Sequence, residues 1–333
     1  MNKDNSAVRE LIRDANLGNI SSIVLIGSGY ASLAYKISAS DGSFVALIPK
    51  EDCIATPNYA YYFSILKTLE EIDYKFAPKA VYINSVQSVI VMTKVPGKSM
   101  DWVNDASENK QKQVVELLID ALLELRMASF EKCSKRYNQL SGKRLETNTI
   151  QKGVNHFMTE WFNMAKAGKP DPKLIEWITP KVALCEEYAR NSKSSKNIVL
   201  NHGDTSSGNV LLTSDLQLHL IDWDTSGFSQ YPDGWDDYGI AYLFNHSALL
   251  QKHRSLAISL VSKKCKINQD ELKETIQKSQ ELIKLGDTMW AIMMNSRVAA
   301  GEIDGDPNKF LKIANQRMYD YETMFAENSF LTK

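Results

Sequence analysis

Cysteine is scarce in this chain, and the four present, Cys53, Cys133, Cys185 and Cys265, form neither a CxxC pair nor a Cys/His cluster. That spacing argues against a zinc site or a disulfide framework and suits a reducing compartment. Long hydrophobic runs are missing too: no segment approaches the roughly eighteen uninterrupted apolar residues of a membrane span. Residues 1–19 are charged and polar without the apolar core of a signal peptide, so a soluble, cytoplasmic protein with no membrane partner is expected. Neither sign of charge is in excess. With 39 basic and 40 acidic side chains the formal net charge is −1, which gives no reason to expect nucleic acid as a partner. Internal repeats and low-complexity tracts are absent. What remains, 333 residues of which 44% are hydrophobic, can bury a sizeable core in more than one lobe.

The most informative stretch runs Asn201-His202-Gly203-Asp204-Thr205-Ser206-Ser207-Gly208-Asn209-Val210-Leu211-Leu212, followed shortly by Leu220-Ile221-Asp222-Trp223-Asp224. Apolar, β-branched runs at 196–200 and 210–212, a turn at 213–216 and alternation over 217–221 predict strand, loop, strand, turn, strand. Asp204 and Asn209 then flank a loop of small residues that lets the backbone aim both side chains at one point. Asp222 ends the strand that pairs back beside that loop. An aspartate able to accept a hydroxyl proton, with an asparagine and a second aspartate offering hard oxygen ligands to Mg²⁺, are the parts that phosphoryl transfer needs. Taken singly, each residue better fits an Asx-rich turn in an ordinary hairpin; the constellation argues for chemistry.

Upstream, residues 22–37 predict two strands around Gly27-Ser28-Gly29, and Asp41-Gly42 marks a hairpin turn into a third strand over 44–48. The Gly27-x-Gly29 element would let backbone amides approach phosphates, although ordinary hairpins use glycine as well. A helix is predicted over 59–72, then strands at 80–83 and 86–92, and Thr93-Lys94-Val95-Pro96-Gly97 breaks the pattern. Residues 101–197 read as mostly helical: Val114, Val115, Leu117, Leu118, Ala121, Leu122 and Leu125 make a broad apolar face, expected to be the central helix of the large lobe, and 135–153 reads as a loop or weak helix. Asp236 and Asp237 precede a predicted helix over 238–246, and further helices break near 267–270 and 301–307.

His202-Gly203-Asp204 with Asn209, followed by Ile221-Asp222-Trp223-Asp224, resembles the signature of the aminoglycoside phosphotransferase and choline kinase superfamily, small-molecule relatives of protein kinases. The resemblance is tight over 201–241 and follows the order of elements along nearly the whole chain. It implies an α+β, two-lobed, protein-kinase-like fold, with a small antiparallel β-rich nucleotide-binding lobe at 1–96. A larger helical lobe at 97–333 would carry the catalytic loop and the acceptor site. ATP and Mg²⁺ are the implied cofactors. Asp204 would be the catalytic base, and Asn209 and Asp222 the magnesium ligands. Gly27, Ser28 and Gly29 would cover the phosphates, Thr93, Lys94 and Val95 would hold the adenine, and Asp236 or Asp237 would tie down the catalytic loop.

Two features bear on the acceptor. The segment 287–293, with Phe310 and 314–321, is similar to the last helices of choline and ethanolamine kinases, where a tryptophan matching Trp290 walls the pocket. Asp224, Trp235 and Trp290 are therefore the expected acceptor contacts, and carboxylates beside an aromatic face suit an ammonium group. A choline- or ethanolamine-like amino alcohol is the first expectation and an aminoglycoside the second. Met293 stands where a second tryptophan is usual. The chain also departs from the kinase pattern where strand three should carry a phosphate-gripping lysine: that slot falls on Leu47 or Ile48. The slot of its partner glutamate falls near Tyr59 to Tyr62. Loss of both is more coherent than loss of one, since an unpaired buried charge is costly. Lys36, two residues beyond Ala34, is preferred over Lys50 as the substitute. The missing pair also keeps open a non-catalytic, nucleotide-binding relative.

Overall fold

The computed structural model describes residues 5–29, 31–50, 57–84, 86, 88–193, 197–230, 244–325 and 329–331. Trp235, Asp236, Asp237 and the start of the helix expected at 238 lie outside them. The chain divides into two compact units, Met1–Glu146 with Val199–Phe228, and Thr147–Ile198 with Ser229–Lys333. The boundary expected near residue 96 falls inside the first unit.

The first unit opens with α1 (Asn5–Leu11) and a 3₁₀ turn, Arg13–Ala15. An antiparallel sheet follows, ordered β1-β2-β3-β5-β4, from β1 (Ile20–Ser28), β2 (Ser32–Ala39), β3 (Gly42–Pro49), β4 (Ala80–Asn84) and β5 (Val89–Thr93). Period-two alternation sorts its faces. Leu33, Tyr35, Ile37, Phe44, Ala46, Ile48, Val89 and Val91 pack with Val8 of α1 and Ile12 just after it in one buried cluster. The opposite face carries two cross-strand rows. Gly27, Ala34, Leu47 and Ile90 form the row nearer the β1–β2 turn; Val24, Lys36, Val45 and Met92 form the next. Val24 is 53% exposed and Ile26 50%, so this face has apolar surface left open at its β1 edge.

Beside the sheet lies α2 (Tyr59–Glu71), capped by the Asn58 side chain, which accepts the Tyr61 N–H. Its buried residues Tyr59, Tyr62, Ile65, Leu66 and Leu69 recur at helical spacing. The expected central helix is α3 (Glu108–Glu124), with Val114, Val115, Leu118, Ala121 and Leu122 buried.

Against the loop or weak helix expected over 135–153, α4 spans Phe130–Ser141. It buries only Cys133 and Tyr137, which explains the weak periodicity. Its ends carry the local signals instead: Ser129 accepts the Lys132 N–H, and Gly142 closes the helix at φ +68.

The segment after residue 97 forms β6 (Lys98–Ser99), which pairs with β8 (Val210–Leu212), itself paired with β9 (Leu218–Leu220). Gly97, at φ +112, lets this crossing happen: a Cβ there would lie 2.9 Å from the Leu212 nitrogen. Two further strands, β7 (Val199–Asn201) and β10 (Gly227–Ser229), pair with each other.

The second unit is helical. It comprises α5 (Ile150–Val154), continued by a π-helical stretch Asn155–Glu160 into α6 (Trp161–Ala167), then α7 (Pro172–Asn191), α8 (Ala248–Lys252), α9 (Arg254–Cys265), α10 (Gln269–Ala299) and α11 (Pro307–Phe325). Ile178, Cys185, Leu285, Met289, Ile292, Ala314 and Tyr321 are among its core residues. Within that core the Glu281 carboxylate accepts hydrogen bonds from the Tyr321 hydroxyl (2.8 Å), the Ser329 hydroxyl and the Phe330 N–H (3.0 Å). Among the described residues no helix is long and apolar enough to cross a membrane.

Candidate active site

The site is built where β7 runs into β8. Gly203 sits at φ +85, and a Cβ on it would lie 2.3 Å from the Thr225 carbonyl oxygen. The two loops of the site therefore touch backbone to backbone, which only glycine allows. Ahead of it, His202 is fully buried against the Trp223 ring, 4.4 Å between centroids. Burial holds its imidazole pKa down at about 4, so the ring is neutral near pH 7.

Asp204 follows, half-buried, with one carboxylate oxygen accepting the Ser206 N–H at 3.3 Å. The Asn209 side-chain amide donates to the Asp204 carbonyl at 3.0 Å, which directs its side-chain oxygen away from that bond. The Asn209 carbonyl in turn accepts the Ile221 N–H at 2.9 Å, and Val210 pairs with Leu220. These bonds fix Asp222 beside Asn209.

Asp222 occupies the left-handed region at φ 62 and ψ 66, a conformation that aspartate tolerates better than most side chains and that occurs at functional sites. It starts a 3₁₀ turn, Trp223–Thr225, anchored by Trp223, whose indole N–H donates to the Leu220 carbonyl at 2.9 Å. The Asp222 and Asp224 carboxyl groups hydrogen-bond to each other. Both residues are exposed on one side, while the neighbouring protein partly desolvates each carboxyl. Desolvation first, then the charges of Asp224 and Asp204, push Asp222 up to about 7; desolvation likewise raises Asp224.

Such a pair of mutually repelling carboxylates is stabilised by a cation. Asp222, Asp224 and the Asn209 oxygen are hard donors that fit Mg²⁺. Among the described residues no three His, Cys, Asp or Glu side chains are grouped as a complete ligand set.

The structure thus brings Asp204, Asn209, Asp222 and Asp224 together in the first unit. Gly27 and Ser28 end β1 in the same unit and Gly29 follows, its N–H donating to the Ser32 carbonyl at 2.9 Å. A Cβ on Gly27 or Gly29 would meet nothing closer than 3.6 Å, so the backbone itself does not require glycine there. Of the 93–95 stretch, the Thr93 and Lys94 amides are committed to the Lys79 and Ser43 carbonyls, at 2.9 Å each. Val95 is the member with its amide beyond the strand pairing.

Trp290 belongs to the second unit, on α10, where the Arg317 guanidinium stands 5.3 Å over its ring and Phe310 meets it edge-on at 5.8 Å. Arg317 also donates to the Asp287 carbonyl, and Asp287 pairs with His246 at 3.0 Å. The expected aromatic wall therefore has a cation of its own.

Sequence reasoning missed the roles of Gly203 and of Tyr62. The Tyr62 hydroxyl donates to the Met92 sulfur at 3.7 Å, and it lies close enough to Asp222 and Asp224 for their charge to act on it. No local signal could have found either contact, because each is made with a segment remote in the chain.

The model of the phosphotransferase enzyme family matches residues 22–230, more than half of the chain. The chain belongs to that family. It is accordingly a phosphotransferase, a small-molecule kinase by class. No curated protein sequence matches it. Similar solved structures include an aminoglycoside 2'-phosphotransferase in its GDP complex, with a TM-score of 0.67 and 14% identity, covering 95% of this chain and 98% of that one. The Plasmodium vivax ethanolamine kinase has a TM-score of 0.64 and 14% identity, covering 95% of this chain and 87% of that one. The choline kinase from Streptococcus pneumoniae has a TM-score of 0.60 and 13% identity, covering 95% and 99%. At these identities the likeness is one of fold: the expected kinase-like, two-lobed α+β architecture.

Proposed function

We propose that this phosphotransferase moves the γ-phosphoryl group of ATP to a hydroxyl of a small cationic molecule, with a choline- or ethanolamine-like amino alcohol as the first candidate. The observation that carries the reading is the hydrogen-bonded chain from Asp204 through Asn209 to Ile221, which holds a base beside two closely spaced carboxylates. Asp204 would orient the acceptor hydroxyl and take its proton as the oxygen bonds to phosphorus and ADP departs. Asn209 and Asp222 would hold Mg²⁺, which when bound neutralises charge on the phosphates. Asp224 would share that task or face the acceptor's cation.

Residues 1–96 would serve as the nucleotide lobe and 97–333 as the catalytic and acceptor lobe, in a cytoplasmic setting where ATP is available. The relaxed geometry of Gly27, Ser28 and Gly29 supports a covering role: the missing side chains leave room for phosphates rather than relieve strain. Val95, with Thr93 and Lys94, would receive the adenine. Lys36 lies on the open sheet face but one row beyond Leu47, two residues or about 6.6 Å further from the glycine turn. Its flexible stem can still lean toward the phosphates.

One observation favours an aminoglycoside as the second reading. Arg317 over Trp290 supplies the ring's cation internally, which leaves carboxylates, rather than an aromatic box, to select the acceptor. ADP release with Mg·ATP against amino alcohols, aminoglycosides and neutral sugars tests both. A response confined to one cationic class is expected; a response to neutral sugars alone would overturn the acceptor assignment. Mg·ATP binding with no acceptor turned over would favour a non-catalytic relative.

A further inference from the structure

The glycine turn between β1 and β2 is fastened at its far end by a serine that bonds in two directions. The Ser32 carbonyl accepts the Gly29 N–H at 2.9 Å, which closes the turn on itself. The Ser32 hydroxyl shares a 2.5 Å hydrogen bond with the hydroxyl of Tyr59, in the first turn of α2. Next to it, the Ala31 carbonyl accepts the Lys50 N–H at 2.9 Å, and Ser32 pairs with Pro49 at the end of β3. Strand pairing thus holds the turn to the sheet, and the Tyr59 bond ties it to the helix alongside.

The start of α2 is itself held from two sides. The Asn58 side chain accepts the Tyr61 N–H and donates to the Tyr137 hydroxyl of α4 at 2.9 Å, and the Tyr61 hydroxyl accepts the Phe228 N–H of β10 at 3.3 Å. Tyr59 is 2% exposed, with its ring 6.5 Å from that of Tyr62 between centroids. A buried ring on a fixed helix end presents its hydroxyl at one reach, and a neutral pair needs no buried counter-charge. With Leu47 in the strand-three slot, the sheet offers the phosphates no cation there. More of the grip then falls to the glycine turn, so its stance matters more.

We propose that Tyr59 is a positioning residue that sets the Gly27-Ser28-Gly29 turn over the nucleotide phosphates through its hydrogen bond to Ser32. This rests on the reading of that turn as the phosphate cover.

The test is calorimetric binding of adenosine, AMP and ADP, each with Mg²⁺, to the full chain and its variants, which separates the gain per phosphate from recognition of the base. Tyr59→Phe and Ser32→Ala should each cut the gain from adenosine to ADP by roughly 3- to 10-fold, the scale of one hydrogen bond, and leave adenosine affinity unchanged. The double variant should lose no more than either single one, because the same bond is removed. Tyr61→Phe, whose hydroxyl bonds β10 instead, should lower the melting temperature and leave the gain unchanged. Gly27→Val fits the backbone, where a Cβ would meet nothing closer than 3.8 Å, but it fills the space left for phosphate and should abolish the gain. A full gain in both Tyr59→Phe and Ser32→Ala, with Gly27→Val defective, overturns the role of Tyr59 and spares the reading of the turn. A loss shared equally by adenosine and ADP makes the bond a support of the fold alone and overturns that role as well. No gain in the wild-type protein, or one that survives Gly27→Val, overturns both.

Discussion

Gly203 stands at the closest backbone approach in the site, with the Thr225 carbonyl where its Cβ would be and a φ of +85. Gly203→Ala combines a left-handed alanine, about 1–2 kcal/mol, with a clash against backbone that has no rotamer to escape into. A loss on the order of 3 kcal/mol in denaturant unfolding is expected. A near-neutral value would mean that the two loops do not meet as described. Beside it, buried His202 has its pKa lowered from 6.5 to about 4. The folded state then binds fewer protons than the unfolded state between those values, so the contribution is full above pH 6.5 and is lost as pH falls toward 4. It amounts to on the order of 3 kcal/mol, and His202→Gln should flatten that part of the stability profile. At this scale Asp204, Asn209 and Asp222 were legible because strand ends expose their side chains. The demand on Gly203 was not, since Thr225 lies well along the chain and nothing local announces the contact.

At the scale of elements, α4 shows why helical periodicity can mislead. With Cys133 and Tyr137 as its buried members, it has little apolar stripe to display, and its caps at Ser129 and Gly142 carry the signal. Its tie to α2 is polar: Arg136 donates to the Ser64 carbonyl, to the Thr68 hydroxyl at 3.1 Å and to the Glu71 carboxylate. That pairing also holds Glu71 below its ordinary pKa, through the Arg136 hydrogen bond first and Lys132 second. Arg136→Ala should destabilise the protein by roughly 1–3 kcal/mol in thermal or chemical unfolding, and Arg136→Lys should recover part of that. No effect of the alanine variant would mean that α2 is held by its apolar face alone. The five-stranded sheet, by contrast, was readable from alternation and from Asp41-Gly42, whereas the pairing of β7 with β10 was not, because the partner strands are short and separated by the catalytic loop. The Tyr61 bond to Phe228 spans 167 positions and shows the same limit.

At the scale of the molecule, the proposed base, the proposed magnesium ligands, the glycine turn and the 93–95 stretch all belong to one compact unit, although the chain leaves that unit at Glu146 and returns at Val199. The sequence could indicate the helical character of what lies between, but not that the catalytic strands rejoin the sheet-bearing unit; that grouping depends on β6 pairing with β8 across more than a hundred residues. Trp290 belongs to the second unit, where Arg317 already meets its ring, so the proposed acceptor assignment leans on the first unit's carboxylates. Everything proposed about catalysis therefore converges on Asp204, a half-buried carboxylate with one oxygen bonded to the Ser206 N–H. The direct test is single-turnover phosphoryl transfer by Asp204→Asn, alongside nucleotide binding by the same protein. A fall of about 10²–10⁴-fold in transfer, with Mg·ATP binding retained, is predicted. Unchanged transfer in Asp204→Asn would contradict the account.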